Sequence, residues 1–200
     1  MTNIDAMGSP LLLRRATERQ HSDILELIDS VRDWLRTIGT DQWKAPWPNE
    51  NGRSERILAA IQAGRTWVAW DGNRLAATVT VSPNDHGIWP PENQRDPAAY
   101  IRRLVVNRSY AGRGLGAQLL DWAGLRGSRE HGARWIRVDL WTTNTALHDY
   151  YRRQGFEFCG FCESVADYPS AALFQKRIDQ IRPAEVSLFR EVPGAARPPG

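Results

Sequence analysis

The chain has 200 residues, of which 42% are apolar, enough for one well-buried α/β domain but too few for two large domains and a linker. Its 26 basic and 23 acidic residues give a net charge of only +3, so the composition does not indicate a nucleic-acid partner. Two cysteines cannot build a disulfide scaffold, apolar runs fall short of the roughly 20 residues that span a bilayer, and residues 1–10 lack the features of a signal peptide. We therefore expect a cytoplasmic protein without a membrane partner.

The first half of the chain predicts one strand, two helices and a hairpin. Leu11 to Arg15 is a short apolar run, and the helical periodicity after it starts with a cap at Ser22 and ends at Gly39. Ser54 to Ala63 repeats that periodicity. The β-rich runs that follow, Thr66 to Trp70 and Leu75 to Val81, are separated by the turn residues Asp71, Gly72 and Asn73. We predict that these two strands pair antiparallel, and that the proline-rich stretch Ser82 to Pro97 is a loop.

The second half alternates between strand and helix patterns. The predicted segments are the strand Tyr100 to Val106, the helix Leu115 to Glu130, the strand Trp135 to Trp141, the helix Thr145 to Gln154, and the strands Phe156 to Cys162 and Ala172 to Arg177. Such alternation predicts right-handed crossovers with local parallel pairing, so the whole sheet should be mixed. We expect residues 1–10 to be a flexible N-terminus and residues 179–200 to be a C-terminal tail.

A glycine-rich segment lies between the strand that ends at Val106 and the helix that starts at Leu115. Gly112, Gly114 and Gly116 alternate there, and glycine lets the backbone approach a ligand closely because it has no Cβ. The first amides of a helix are unpaired donors at the positive end of its dipole, so this junction is suited to a phosphate. The same glycines would also serve to tighten a strand-to-helix turn, and the isolated pattern does not separate the two uses.

Two other phosphate-binding motifs fit this segment less well. A Walker loop requires Gly-Lys followed by Ser or Thr, which the segment lacks. A dinucleotide-binding unit would use Asp139 on the next strand as its ribose ligand. In that case, however, the third glycine has the wrong spacing and the unit lies late in the chain, behind a hairpin. A nicotinamide-binding oxidoreductase is therefore kept only as an alternative.

The run from Val106 to Gly116, followed by Leu119 and Leu120, resembles the pyrophosphate-binding motif of the GNAT superfamily of acetyl-CoA-dependent N-acetyltransferases. The order of elements from about Leu11 to Arg177 is also similar to that fold. The family's motif begins with Arg or Gln where this chain has Ala111, so that CoA contact is lost. Arg108 or Arg113 would then supply the charge.

The resemblance implies a single domain over residues 11–178, with a mixed, mostly antiparallel sheet of about six to seven strands and helices on both faces. It implies acetyl-CoA as cosubstrate without a metal, and we find the histidines scattered singly along the chain. Pantetheine would lie between the strands that contain Val106 and Trp135, and a strand amide near Leu104 or Val105 would polarise the thioester carbonyl. The implied cofactor-binding residues are Leu104, Val105, Val106, Gly112, Arg113, Gly114, Leu115, Gly116, Ala117, Asn144 and Tyr151.

A second segment, Asn144 to Phe156, resembles another signature of the same family, in which an Asn precedes a helix that ends in Tyr, three residues and Gly-Phe. By this match Asn144 contacts the cofactor, and Tyr151 is the general acid that protonates the departing thiolate. Tyr150 is the neighbour most easily confused with it. Taken by itself, Tyr151 is better interpreted as a core aromatic with a satisfied hydroxyl, and it is the two signatures in the right order and spacing that favour the catalytic role.

The acceptor side is less well defined by the sequence. Asp139 is a candidate base, although an ion pair with Arg137 or another cation is the more ordinary use of a strand carboxylate. Trp43, Trp47 and Trp89 lie in predicted loops, where they either pack or line an acceptor pocket. We expect transfer to a primary amine of a small molecule. A protein or peptide amine, or a catalytically silent CoA-binding module, are alternatives, and the resemblance allows a homodimer.

Overall fold

A computed structural model describes residues 9–165 and 167–193. The expected flexible residues 1–8, and residues 194–200 of the expected tail, lie outside this part of the chain. The described residues form four α-helices: α1 (His21–Thr37), α2 (Glu50–Gln62), α3 (Leu115–His131) and α4 (Thr145–Arg153). The strands are β1 (Leu11–Arg15), β2 (Thr66–Asp71), β3 (Arg74–Ser82), β4 (Ala98–Val106), β5 (Trp135–Leu140), β6 (Glu157–Phe161), β7 (Ala172–Arg177) and β8 (Phe189–Glu191).

All eight strands join one sheet in the order β6-β7-β5-β4-β3-β2-β1-β8. The pairs β4–β5 and β1–β8 are parallel and the other five are antiparallel, which confirms the predicted mixed, mostly antiparallel sheet with one strand more than expected. Helix boundaries differ slightly from the prediction. The first helix begins at His21, so Ser22 lies inside it. The second helix begins at Glu50 rather than at the predicted Ser54, and Asn49 caps it.

The additional strand comes from the segment that the sequence assigned to the tail. Phe189–Glu191 pairs with β1, and the amide of Val192 donates to the carbonyl of Leu13 at 2.9 Å. Glu191 is bonded to α3 through Arg126 at 2.5 Å and the Trp122 indole at 3.1 Å. β8 thus covers the backbone groups that an edge strand β1 would otherwise expose. A three-residue strand carries too little periodicity to be predicted.

Helices cover both faces of the sheet, as predicted. Apolar residues of α1 and α2 pack with Val68, Leu75 and Val105, whereas α3 packs on the face that contains Ala77 and Ile101. No helix in the described ranges is long and apolar enough to cross a membrane.

A β-bulge in β4 shapes the centre of the sheet. Ile101 faces α3 but Val105, four residues on, faces α1 and α2, so strict alternation is broken between them. The pairing with β3 shows the cause, because Thr80 opposes Arg102 and Thr78 opposes Val105, leaving one β3 residue opposite two in β4. Arg103, in this gap, has a positive φ of 51°. The bulge therefore turns the end of β4 relative to its beginning.

Close packing of α3 on the sheet gives a first testable prediction. A Cβ at Gly127 would lie 2.5 Å from the Ala99 Cβ, so Gly127→Ala forces helix and strand apart. We expect a net loss of about 1–3 kcal/mol in the free energy of unfolding, even though alanine favours helix by about 1 kcal/mol. Chemical denaturation measures this loss.

The exposed Arg129→Ala on the same helix is the control and should change stability by less than about 0.5 kcal/mol. Ala99→Gly removes the opposing methyl, so adding it to Gly127→Ala should restore part of the loss. A Gly127→Ala protein as stable as the wild type would contradict the close approach.

Candidate active site

The sheet opens between β4 and β5. Their pairing ends at Ile101 and Val138, although both strands continue beyond these residues. A cavity of about 470 Å³ lies at this opening, and its lining includes Leu104 and Val105 of β4 and Leu140 of β5. Within the described residues, Arg103 and Leu104 have no partner on either neighbouring strand. The bulge therefore leaves backbone amides beside the cavity unused by the sheet.

The glycine-rich segment forms the start of α3 next to this opening. Gly114 is the N-cap of α3 with φ 79°, and Gly112 has φ 75°. An added Cβ at either position would meet no heavy atom within 4 Å, so both glycines border open space. The first helical hydrogen bond is donated by the amide of Gln118 to the carbonyl of Gly114 at 3.0 Å. The amides of Leu115, Gly116 and Ala117 precede it and have no partner within the helix, which is the arrangement suited to an anion.

The arginines near this helix start differ in how free their charged groups are to contact a ligand. Arg113 is exposed, with its guanidinium 5.5 Å from the Tyr110 ring. The Arg108 guanidinium lies 3.5 Å from the ring centre of Trp34 on α1. Ala111, at the position where the family motif has Arg or Gln, is partly buried. Of the two arginines expected to supply charge, Arg113 is therefore the one without a stacking partner this close.

The two neighbouring tyrosines of α4 point to different places. An added Cβ at Gly116 would lie 3.2 Å from the Tyr150 Oη, so Tyr150 lies over the glycine-rich segment. Tyr151 instead lines the cavity with only 6% of its surface exposed. Burial, with smaller contributions from Tyr150 and Asp139, raises the pKa of Tyr151 above the usual tyrosine range. Its hydroxyl has no hydrogen-bond partner among the described residues, so Tyr151 offers a protonated, unengaged hydroxyl to the cavity.

Asn144 lies at the N-cap of α4, and both polar atoms of its side chain have protein partners. The Oδ1 accepts from the Leu147 amide at 3.0 Å, and the Nδ2 donates to the Gln42 Oε1 at 2.6 Å. The resemblance implied a cofactor contact for Asn144. The structure shows a side chain that caps the helix of Tyr151 and joins it to the segment after α1.

The segment after α1, which contains Gln42, is held across the opening by a second pair of contacts. The Trp141 indole and the Thr143 hydroxyl donate to Asp41 Oδ1 at 3.0 and 2.5 Å. These hydrogen bonds, first that of Thr143 and then that of Trp141, lower the pKa of Asp41. The loop between α1 and α2 is thereby fixed to the loop between β5 and α4, and the cavity is enclosed on this side.

Asp139 lies in the same cavity but has partners of its own. The Tyr168 hydroxyl donates to its Oδ2, and the Arg102 Nε lies 3.4 Å from its Oδ1. Arg137, the ion-pair partner first considered, is instead buried and donates to the Tyr100 hydroxyl at 3.1 Å. Asp139 thus forms the ion pair that was considered for it, but its partner is Arg102 rather than Arg137.

The three loop tryptophans fall into two groups. Trp43 and Trp47 line the cavity, whereas Trp89 is 2% exposed and packs with Tyr100 in the core. The cavity is also lined by four residues that were not predicted from the sequence: Arg56, His86, Arg103 and Tyr168. Only Arg103 left a signal, since Arg102 and Arg103 form a charged pair inside an otherwise apolar strand.

An open mixed sheet, a glycine-rich helix start and a cavity between two diverging strands together define an acyltransferase of the N-acetyltransferase class. Residues 28–156 match the model of the acetyltransferase (GNAT) family. The chain belongs to this family, which confirms the resemblance seen in the two motifs.

Relatives and solved structures agree with this assignment. YesJ of Bacillus subtilis (strain 168), described as an uncharacterized N-acetyltransferase, is 33% identical over 159 residues, which cover 78% of this chain and 83% of that protein. A GNAT-family acetyltransferase from Listeria monocytogenes shares the fold, with a TM-score of 0.65 and 22% identity over 84% of this chain and 94% of that one. PaiA N-acetyltransferase from Thermoplasma acidophilum, in complex with coenzyme A, has a TM-score of 0.64 and 15% identity over 84% of this chain and 99% of that one.

Proposed function

We propose that the chain transfers an acetyl group from acetyl-CoA directly to a primary amine of a small molecule, with both substrates bound together. The observation that carries this proposal is the unengaged Tyr151 hydroxyl in a cavity beside an open, glycine-rich helix start. The coenzyme A complex of the PaiA enzyme, which shares the fold, agrees with it.

The residues present fit coenzyme A. The backbone amides from Gly112 to Ala117 would hold the diphosphate, because the open space at Gly112 and Gly114 leaves the donors accessible. Leu104, Val105 and Val106 at the opening of the sheet would line the pantetheine arm, and the Leu104 or Val105 amide would bind the thioester oxygen. We propose that Asn144 acts on this site indirectly, by positioning α4 and Gln42.

Acetyl-CoA supplies a thioester, whose C–S bond breaks as the amine nitrogen forms its bond to the carbonyl carbon. Tyr151 would donate its proton to the leaving sulfur, which is a good leaving group because thiols have a pKa near about 8.5. The amine must lose a proton before or during attack. Asp139 and His86 line the cavity and are the candidate acceptors of this proton. The pKa of His86 is lowered first by burial and then by Arg102, so that its imidazole is neutral at pH 7 and able to take up a proton.

The enclosure of the cavity favours a small acceptor over a protein. The loop between α1 and α2 is bonded across the opening through Asp41 and Gln42, and the volume of about 470 Å³ falls in the range of small-molecule sites. A folded protein would have to displace these contacts to bring a lysine to the thioester.

A turnover assay tests the proposed function. Purified protein is incubated with acetyl-CoA and a panel of primary amines, and release of free CoA and acetylated product are both quantified, while calorimetry measures CoA binding. We expect CoA binding together with amine-dependent release of both products. Binding of CoA without acetylation of any amine would support the silent CoA-binding alternative, and NADH binding that CoA does not displace would support an oxidoreductase.

A further inference from the structure

The cavity is lined by more positive charge than its own carboxylates neutralise. Arg53 pairs with Asp29 and Glu50 at 2.7 Å each, and Arg102 pairs with Asp85 at 3.2 Å and Asp139 at 3.4 Å. Arg56 and Arg103 line the same cavity. Among the described residues, no carboxylate lies within 4 Å of either guanidinium group.

Arg103 is held in the cavity by the bulge in β4. Its φ of 51° is unfavourable for a residue with a side chain, at about 1–3 kcal/mol, and such conformations persist where the surrounding structure imposes them. Burial first, and then Arg56 and Arg102, lower the pKa of Arg103 to about 10. The side chain therefore remains charged at neutral pH in a place that disfavours the charge, and a bound anion would relieve this cost.

The neighbouring arginines are fixed in place. Arg56 donates to the carbonyls of Gly52 and Trp47, and its guanidinium stacks 4.8 Å from the Trp47 ring centre. The Nη1 of Arg102 is buried and has no hydrogen-bond partner among the described residues. Fixed guanidinium donors beside a buried donor that lacks an acceptor form a preorganised site for an oxyanion.

Aromatic side chains form much of the rest of the wall. Trp43, Trp47, Trp141 and Tyr168 line the cavity, and the rings of Trp47 and Tyr168 meet edge to face at 5.0 Å. An acceptor that fits this lining has an apolar body next to its charged group.

We propose that the acceptor carries an oxyanion, a carboxylate or a phosphonate, in addition to its primary amine, and that Arg103 and Arg56 bind this anion. The proposal rests on the proposed acetyltransferase function and names its substrate class. We expect a diamine or polyamine to be a poor acceptor, because its second cation would face these guanidinium groups. The same positive field favours the neutral form of the reacting amine, which is the form that attacks the thioester.

This proposal is tested by comparing acceptors that have the same side chain but differ in the charged group. L-Methionine, L-phenylalanine and L-tryptophan are compared with their amides, with the decarboxylated amines and with the corresponding 1-aminophosphonates, and putrescine serves as the diamine. We expect kcat/KM for at least one acid to exceed that of its amide by about 100-fold, because the amide lacks the charge that the guanidinium groups would bind. The phosphonates show which oxyanion the site prefers.

Variants at Arg103 show whether this residue is responsible for the preference for an acid over its amide. Arg103→Met, which keeps length without charge, should lower kcat/KM for the preferred acid about 100-fold and leave that of its amide within about threefold. Arg103→Lys should restore part of the difference, since it keeps the charge but not the planar fork. Arg129→Met, an exposed position on α3, is the control and should behave as the wild type.

Binding separates failure of this inference from failure of the proposed function. Calorimetry with CoA-saturated protein measures acid and amide affinities without turnover, and tighter binding of the acid that is lost in Arg103→Met supports the anion site even if no acetylation occurs. If amines are acetylated but acids neither bind nor react better than their amides, the anion site is overturned and the acetyltransferase function stands. Equal losses for acid and amide in Arg103→Met would likewise overturn it, because a merely structural role produces that result.

Discussion

Replacing Tyr151 by Phe should lower kcat about 100-fold while leaving the affinity for CoA within about twofold. Tyr151 lines the cavity, and its hydroxyl has no partner among the described residues and stays protonated because burial raises the pKa of Tyr151. Its removal deletes the proton donor for the leaving sulfur without disturbing the helix start that would hold the diphosphate. Steady-state kinetics with the best amine of the panel, and calorimetry with CoA, measure the two quantities.

Tyr150→Phe is the matched control, because it removes the same atom from the adjacent residue. The Tyr150 hydroxyl lies near Gly116, outside the cavity, so this change should alter CoA affinity more than kcat. The wild-type pH profile gives a second measurement. Since the neutral phenol persists to higher pH than usual, kcat should rise as the amine loses its proton and show no descending limb below about pH 10. A descending limb near about pH 8.5, or a Tyr151→Phe enzyme with full activity, would remove Tyr151 from the role of acid.

Gly114→Ala should raise the dissociation constant for CoA by roughly 10- to 100-fold. The new methyl would enter the open space in front of the helix amides, where it obstructs a diphosphate but meets no protein atom within 4 Å. A φ of 79° also strains alanine by about 1–3 kcal/mol, so a loss of stability is expected in addition. Calorimetric titration with CoA measures the affinity.

Gly132→Ala distinguishes obstruction from strain. Gly132 caps the other end of the same helix with φ 65°, and a Cβ there would also meet no atom within 4 Å. This variant should lose similar stability and keep its CoA affinity. Equal CoA affinities for the two variants would argue against diphosphate binding at the helix start.

Much of the fold was predictable from local pattern. The hairpin of β2 and β3 and the alternation of strands and helices after residue 98 follow from hydrophobic period and turn residues that act over a few positions. The bounds of β7, Ala172–Arg177, were predicted correctly. The strand β8 was not predicted, because its pairing with β1 joins residues at opposite ends of the chain.

The sequence by itself determined the family and the two segments that carry it, because a glycine-rich helix start and a helix that ends before Gly-Phe are encoded by consecutive residues. Only the tertiary structure decided what these segments face. The register between β3 and β4 creates the bulge that places Arg103 in the cavity, and Asn144 meets Gln42 across 102 positions of sequence. Contacts over such separations depend on how the chain packs as a whole, so local patterns do not show which side chains the fold brings together around the cavity.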